Sequence, residues 1–108
     1  MNVPLKRFAF KMRLKPGTLA EYKRRHDEIW PELAAALKAA GISDYSIFLD
    51  EETLTLFAVQ KLAEGNTAAA LPNLAIVRRW WEHMAPLMEV NPDHSPVVKP
   101  LAEVFYIG

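Results

Sequence analysis

Apolar and polar residues alternate over residues 6–14. Phe8, Phe10, Met12 and Leu14 fall on one side, and Arg7, Ala9, Lys11 and Arg13 on the other. A period of two is the mark of a strand with one buried face. Pro16-Gly17 ends it, and beyond this break the period changes. Leu19, Tyr22, Ile29, Trp30, Leu33 and Leu37 recur at three and four residues, which predicts an amphipathic helix. Thr18 and Glu21 have the spacing of a capping box at its start. Gly41 can take the left-handed conformation that closes a helix. Pro31 lies inside the pattern and carries no amide proton, so a kink or break is expected around Ile29 and Trp30.

Residues 42–49 and 53–59 read as two strands joined by the polar turn Asp50-Glu51-Glu52, a hairpin. Glu64-Gly65-Asn66 opens a less regular stretch interrupted by Pro72. Residues 74–85 are helical up to Pro86, the proline-rich stretch 91–100 is a loop, and residues 101–107 form a last strand. The resulting order is that of a ferredoxin-like βαββαβ sandwich, an α+β fold with helices over one face of a four-stranded antiparallel sheet. Phe57, Val59, Phe105 and Ile107 leave the opposite face too apolar for water. At this chain length only another subunit can supply the missing layer, so a homodimer packed sheet to sheet is expected.

The 108 residues suit one domain spanning 1–108. Thirteen acidic and thirteen basic side chains cancel. This balance lacks the basic excess that a nucleic-acid binder uses to displace counterions, and it gives no pull toward an anionic membrane. The absence of cysteine removes disulfides, thiolate zinc sites and cysteine nucleophiles. The first residues lack the apolar run of a secretion signal, and no stretch approaches the ~20 apolar residues of a membrane span. A soluble cytoplasmic protein is expected. There is no glycine-rich phosphate loop and no HExxH or GxSxG motif. Asp50-Glu51-Glu52 fits a turn better than a metal cluster, and neither metal nor cofactor is expected.

On an ideal helix Tyr22, Trp30, Leu33 and Leu37 all fall within about 40° of His26, at the centre of the sheet-facing stripe. Lys23, Arg24, Asp27 and Glu28 point mostly to solvent. Two readings of His26 stand side by side. It is either a core ring satisfied by its neighbours or a proton carrier set in a half-buried pocket, titrating near ~6.5 when unperturbed. Tyr22 is either aromatic packing or a hydroxyl aimed into the same pocket, and Tyr45 is by itself an ordinary strand residue. Trp80 and Trp81 point about 100° apart on their helix. Trp81 falls with Leu74, Val77, Met84 and Met88 on the core stripe, and Trp80 with Ile76, His83 and Leu87 on a second flank. Both are buried only if a second surface, a subunit or a ligand, covers the helix. His83 and His94 show no metal-ligand spacing with His26.

The run Glu21-Tyr-Lys-Arg-Arg-His26-Asp-Glu-Ile-Trp-Pro-Glu-Leu33 resembles the signature of the L-rhamnose mutarotases. So do Tyr45-Ser-Ile-Phe-Leu-Asp50, Arg79-Trp-Trp-Glu-His-Met84, Asn91-Pro-Asp-His-Ser-Pro96 and Glu103-Val-Phe-Tyr106, in the family's order along nearly the whole chain. The resemblance is poorest over residues 62–74. It implies a dimeric ferredoxin-like α+β barrel that interconverts the anomers of L-rhamnose in rhamnose catabolism. It implies a proton-donating histidine at His26 and substrate-binding positions at Tyr22, Tyr45, Trp80 and Trp81. Cofactor-free monooxygenases and haem-degrading enzymes share this fold and are the alternative reading; a ligand-sensing module is a third.

Overall fold

In the computed structural model, which describes residues 5–108, the alternation at the start of the chain becomes β1 (Leu5–Arg13). The reading of no secretion signal falls partly on residues 1–4, outside the described residues. β1 is central because it pairs along its whole length with β3 (Thr55–Ala63) and, over Ala9, Phe10 and Lys11, with the short β4 (Lys99–Leu101). β2 (Ile42–Asp50) pairs with the far side of β3. The sheet order is β2-β3-β1-β4 with every pair antiparallel, the ferredoxin-like arrangement the element order called for. Pleating puts directly paired residues on one face. The rows Phe10–Ala58–Ile47 and Met12–Leu56–Leu49 therefore face the helices, and Phe10, Met12, Leu56 and Ala58 are buried there. The third strand runs four residues beyond its expected end at Val59, a point that matters for the site.

Pro31 divides the first helical pattern into α1 (Leu19–Asp27) and α2 (Pro31–Ala39). It stands at the first position of α2, where a missing amide proton costs nothing, and it holds Trp30 extended before it. The expected capping box does not form. The Thr18 hydroxyl points at the carbonyls of Lys15 (2.7 Å) and Leu87 (2.9 Å), and the Glu21 carboxylate accepts from Arg24 and Arg25, both at 2.7 Å. Two guanidinium groups within one turn are stronger donors than the Thr18 amide. They hold the Glu21 carboxyl well down, at about 2.

After α2 the chain turns at Gly41 with φ +93°. A Cβ there would lie 2.9 Å from that of Asn66 and 3.3 Å from that of Ala63. Gly41→Ala is expected to cost about 1–3 kcal/mol through the left-handed backbone alone. Thermal unfolding followed by circular dichroism checks this, and a variant as stable as the parent would refute it.

A 3-10 turn (Ala68–Asn73) leads into α3 (Ala75–Met84), and a second (Ala85–Leu87) follows it. The buried stripe on this segment is Val77, Trp80, Met84 and Leu87. The assignment made from the helical wheel is corrected in part: Val77, Met84 and Met88 are buried as expected, but Trp80 is the core residue, Trp81 is partly buried beside it, and Leu74 is exposed. No described helix is long and apolar enough to cross a membrane.

The last strand is also corrected, to Lys99–Leu101 in place of 101–107. Beyond Leu101 the backbone ladder with β1 is not continued, and the Arg7 guanidinium holds the chain by its side chains. It bonds Glu103 at 3.0 Å and stacks over the Tyr106 ring at 3.4 Å. Phe105 and Ile107 are therefore not sheet residues. Val104, Phe105 and Ile107 stand in solvent, Val104 at 94% exposure. The outer face of the sheet nevertheless carries an apolar patch: Ala9, Val59 and Leu101 form one row, and Phe57 and Phe48 lie side by side in the next, followed by Lys11 and Lys99.

Candidate active site

The helices do not close fully on the sheet, and a cavity of about 1040 Å³ lies between them. It lies at the upper end of the usual range for small-molecule sites. His26 reaches it from the last turn of α1, one turn after Tyr22, whose ring is 4.4 Å away between centroids. The Trp80 ring of α3 meets His26 edge-on at 5.4 Å. Trp30 and His83 pack on the same indole at 5.1 and 5.6 Å. The Arg25 guanidinium, tied to Glu21, also donates to the His83 carbonyl, which fastens α1 to α3.

The Nδ1 atom of His26 is 3.1 Å from the Tyr22 carbonyl oxygen. A carbonyl only accepts, so Nδ1 carries the hydrogen, and in the neutral ring Nε2 is left with its lone pair. Burial pushes the His26 pKa below its ordinary value, more than the Tyr22 carbonyl and the Asp27 charge pull it up. The ring is therefore neutral at neutral pH. Burial, followed by the charges of Arg25 and Arg24, also lowers His83.

Tyr45 arrives from β2. Ser43 pairs with Lys61 and Ser46 with Val59, so Asp44 and Tyr45 together stand across from Gln60 alone. This is a β-bulge, which re-aims side chains, and Asp44 takes the left-handed backbone (φ +45°) that allows it. Tyr45 is in phase with Ile47 and Leu49, two and four residues on, and lines the cavity with the inward side of the sheet; the extra residue of the bulge lets Ile42 face inward as well. The residue is 38% exposed, yet burial of its hydroxyl pushes its pKa up to about 12. Burial raises Tyr22 too, with the neighbouring Tyr45 phenol adding to the shift. Both phenols stay protonated and able to donate at any physiological pH.

His26, Tyr22, Tyr45, Trp80 and Trp81 thus line one cavity. The single helical wheel drawn from the sequence does not hold past residue 27, because Trp30, Leu33 and Leu37 follow the break; Trp30 still meets Trp80 from the start of α2. Sequence reasoning missed Gln60. Its signal was a polar residue at an inward position after Leu56 and Ala58, hidden because the strand was ended at Val59. Among the described residues no group of histidines and carboxylates could hold a metal ion.

The chain matches known proteins over nearly its whole length. A family model described as L-rhamnose mutarotase matches residues 7–107. L-rhamnose mutarotases from Acidiphilium cryptum and Bacteroides thetaiotaomicron are each 56% identical over 103 residues, covering 95% of this chain and 99% of theirs. The crystal structure of an L-rhamnose mutarotase from Formosa agariphila superposes with a TM-score of 0.89 at 54% identity, covering 95% of this chain and 99% of that one. A conserved protein from Methanosarcina mazei, at 14% identity and TM-score 0.58 over 92% of this chain and 91% of its own, shares the fold alone. A match of this extent leaves no ground for the monooxygenase, haem-degrading or sensor readings. The chain belongs to the L-rhamnose mutarotase family.

Proposed function

We propose that this chain, as a single domain, interconverts the α and β anomers of L-rhamnose, with His26 as the proton carrier. The observation that carries the role is the tethered imidazole: Nδ1 is held by the Tyr22 carbonyl and the ring lies in a cavity beside two desolvated phenols.

Mutarotation opens the pyranose at the bond between C1 and the ring oxygen and closes it on the other face of C1. In the proposed cycle neutral His26 takes the proton of the anomeric hydroxyl at Nε2 as that bond breaks. The imidazolium then delivers the proton to the departing ring oxygen. In the open aldehyde, rotation about C1–C2 presents the other face. The ring hydroxyl returns its proton to His26 as it attacks, and His26 passes it to the carbonyl oxygen. No proton or electron is gained or lost. Tyr22 and Tyr45 donate to sugar hydroxyls, while the indoles of Trp80 and Trp81 cover the apolar C–H side and the 6-deoxy methyl group. Saturation-transfer NMR between the two anomer signals tests the reading. Exchange at the uncatalysed rate would end it, and equal activity on other sugars would remove the substrate claim.

The proposed assembly is a homodimer. Phe48 is 65% exposed, Phe57 lies against it on the outer face, and Val104, Phe105 and Ile107 hang uncovered from the last strand. Apolar surface of this kind marks an association site. Light scattering should give twice the chain mass for the parent and the single mass for Phe57→Glu; a monomeric parent would refute it. Its proposed setting is the cytoplasm, where a cysteine-free chain draws nothing from an oxidising compartment.

A further inference from the structure

Gln60 is the buried polar side chain that the proposed cycle leaves unused. It is 6% exposed, sits on the helix-facing side of β3 beside Phe8, and lines the cavity. Its amide makes no hydrogen bond among the described residues, although no buried side-chain nitrogen or oxygen there is sealed off without a partner. Its polar atoms therefore open into the cavity. An amide placed among Phe8, Phe10 and Leu62 costs desolvation unless something bonds it. Among the described residues none bonds it, which leaves it free for a molecule that enters the cavity.

The pairing of β2 with β3 says where on that molecule. Tyr45 lies across from Gln60 at the register shift between Ser43 and Ser46, and both line the cavity with Tyr22. A carboxamide both donates and accepts, which matches a sugar hydroxyl that also does both. The Asp44 carboxylate on the same bulge is engaged by Lys61 at 2.9 Å, which leaves Gln60 and Tyr45 to face the ligand.

We infer that Gln60 is a specificity-determining residue of the sugar site, hydrogen-bonded to one ring hydroxyl beside the Tyr45 phenol. This rests on the proposed sugar chemistry and adds to it a residue that reads the hydroxyl pattern. Groups that bind substrate and transition state alike act on KM, and Gln60 is of this kind because a ring hydroxyl away from C1 does not change charge in the reaction.

The test is Gln60→Met, which keeps length and removes both hydrogen-bonding atoms, assayed by anomer exchange on L-rhamnose and on its 2-, 3- and 4-deoxy analogues. The variant should raise KM for L-rhamnose about tenfold, the worth of one to two hydrogen bonds, while kcat moves by less than about twofold. The parent should lose about the same factor on one of the analogues, and on that analogue parent and variant should be equal, as a pairwise contact requires. The melting temperature of the ligand-free variant should equal or exceed the parent's, since no bond within the protein is lost. An unchanged KM, an equal loss on every analogue in both proteins, or a melting temperature several degrees lower would each overturn the inference. Gln60→Leu gives a second reading of KM and melting temperature. A parent without activity on L-rhamnose overturns the proposed function and this inference together; an active parent with an indifferent Gln60→Met overturns this inference only.

Discussion

His26→Ala should slow anomer exchange on L-rhamnose by about 10²–10⁴-fold, the usual worth of a positioned acid–base group. The structure adds detail to this expectation. Nδ1 is committed to the Tyr22 carbonyl, so only Nε2 can trade a proton with substrate. His26→Gln, which keeps an amide near that place but does not titrate, should be as slow as the alanine variant. A folded His26→Ala with parental exchange would remove the role. The pH profile follows from burial. The ring must be neutral to take the first proton, and its pKa is depressed. Activity should therefore hold through neutral pH and fall on the acid side, with a midpoint below the ordinary ~6.5 of histidine. Stability has the same sign. The unfolded chain binds the proton more readily, so the contribution is complete above the unfolded value and is lost as pH falls through the folded one. A midpoint above 6.5 would contradict the desolvated placement.

Trp80→Ala should cost about 3–5 kcal/mol of folding free energy, the range for emptying a large core aromatic. For a chain of this size that corresponds to a fall in melting temperature of roughly 15 °C or more. Trp80 is buried and its ring touches His26, Trp30 and His83, drawn from α1, the start of α2 and α3 itself. Few substitutions would separate so many elements at once. Trp81→Ala should cost markedly less, because Trp81 is only partly buried and packs from the side. Thermal unfolding of both variants decides the matter, and a larger loss at Trp81 than at Trp80 would restore the wheel-based assignment in place of the observed one.

The contrast between those two tryptophans shows where reading along the chain reaches its limit. Periodicity identifies two faces on α3, and both tryptophans sit at defensible positions. Which face is inward depends on how α3 crosses the sheet and on Trp30 arriving from α2. The capping box failed for a comparable reason. Thr18 and Glu21 have the spacing, but Arg24, Arg25 and the Leu87 carbonyl compete for them, and one of these comes from the far end of the domain. The final segment keeps the pattern of a strand past Leu101, where the observed ladder with β1 stops. Sheet propensity alone does not supply a ladder, and Arg7 holds Glu103 and Tyr106 by their side chains instead.

The element order, the antiparallel ferredoxin-like sheet, the helix break at Pro31 and the turn at Gly41 were legible along the chain. These follow from local rules: the period of two or 3.6, the missing amide of proline, and the backbone freedom of glycine. The sequence also set His26 and Tyr22 one turn apart, since both lie on α1. The tertiary structure decided the rest of the site. Tyr45, inward with Ile47 and Leu49 on β2, shares a cavity with His26 only because the helices pack over the sheet, and Gln60 faces it because β3 continues beyond its apolar run. The ring tautomer, by contrast, is a local matter, since His26 and the Tyr22 carbonyl 3.1 Å away share α1. Side chains from separate elements meet only when those elements pack, and no spacing along the chain records which of them share a cavity.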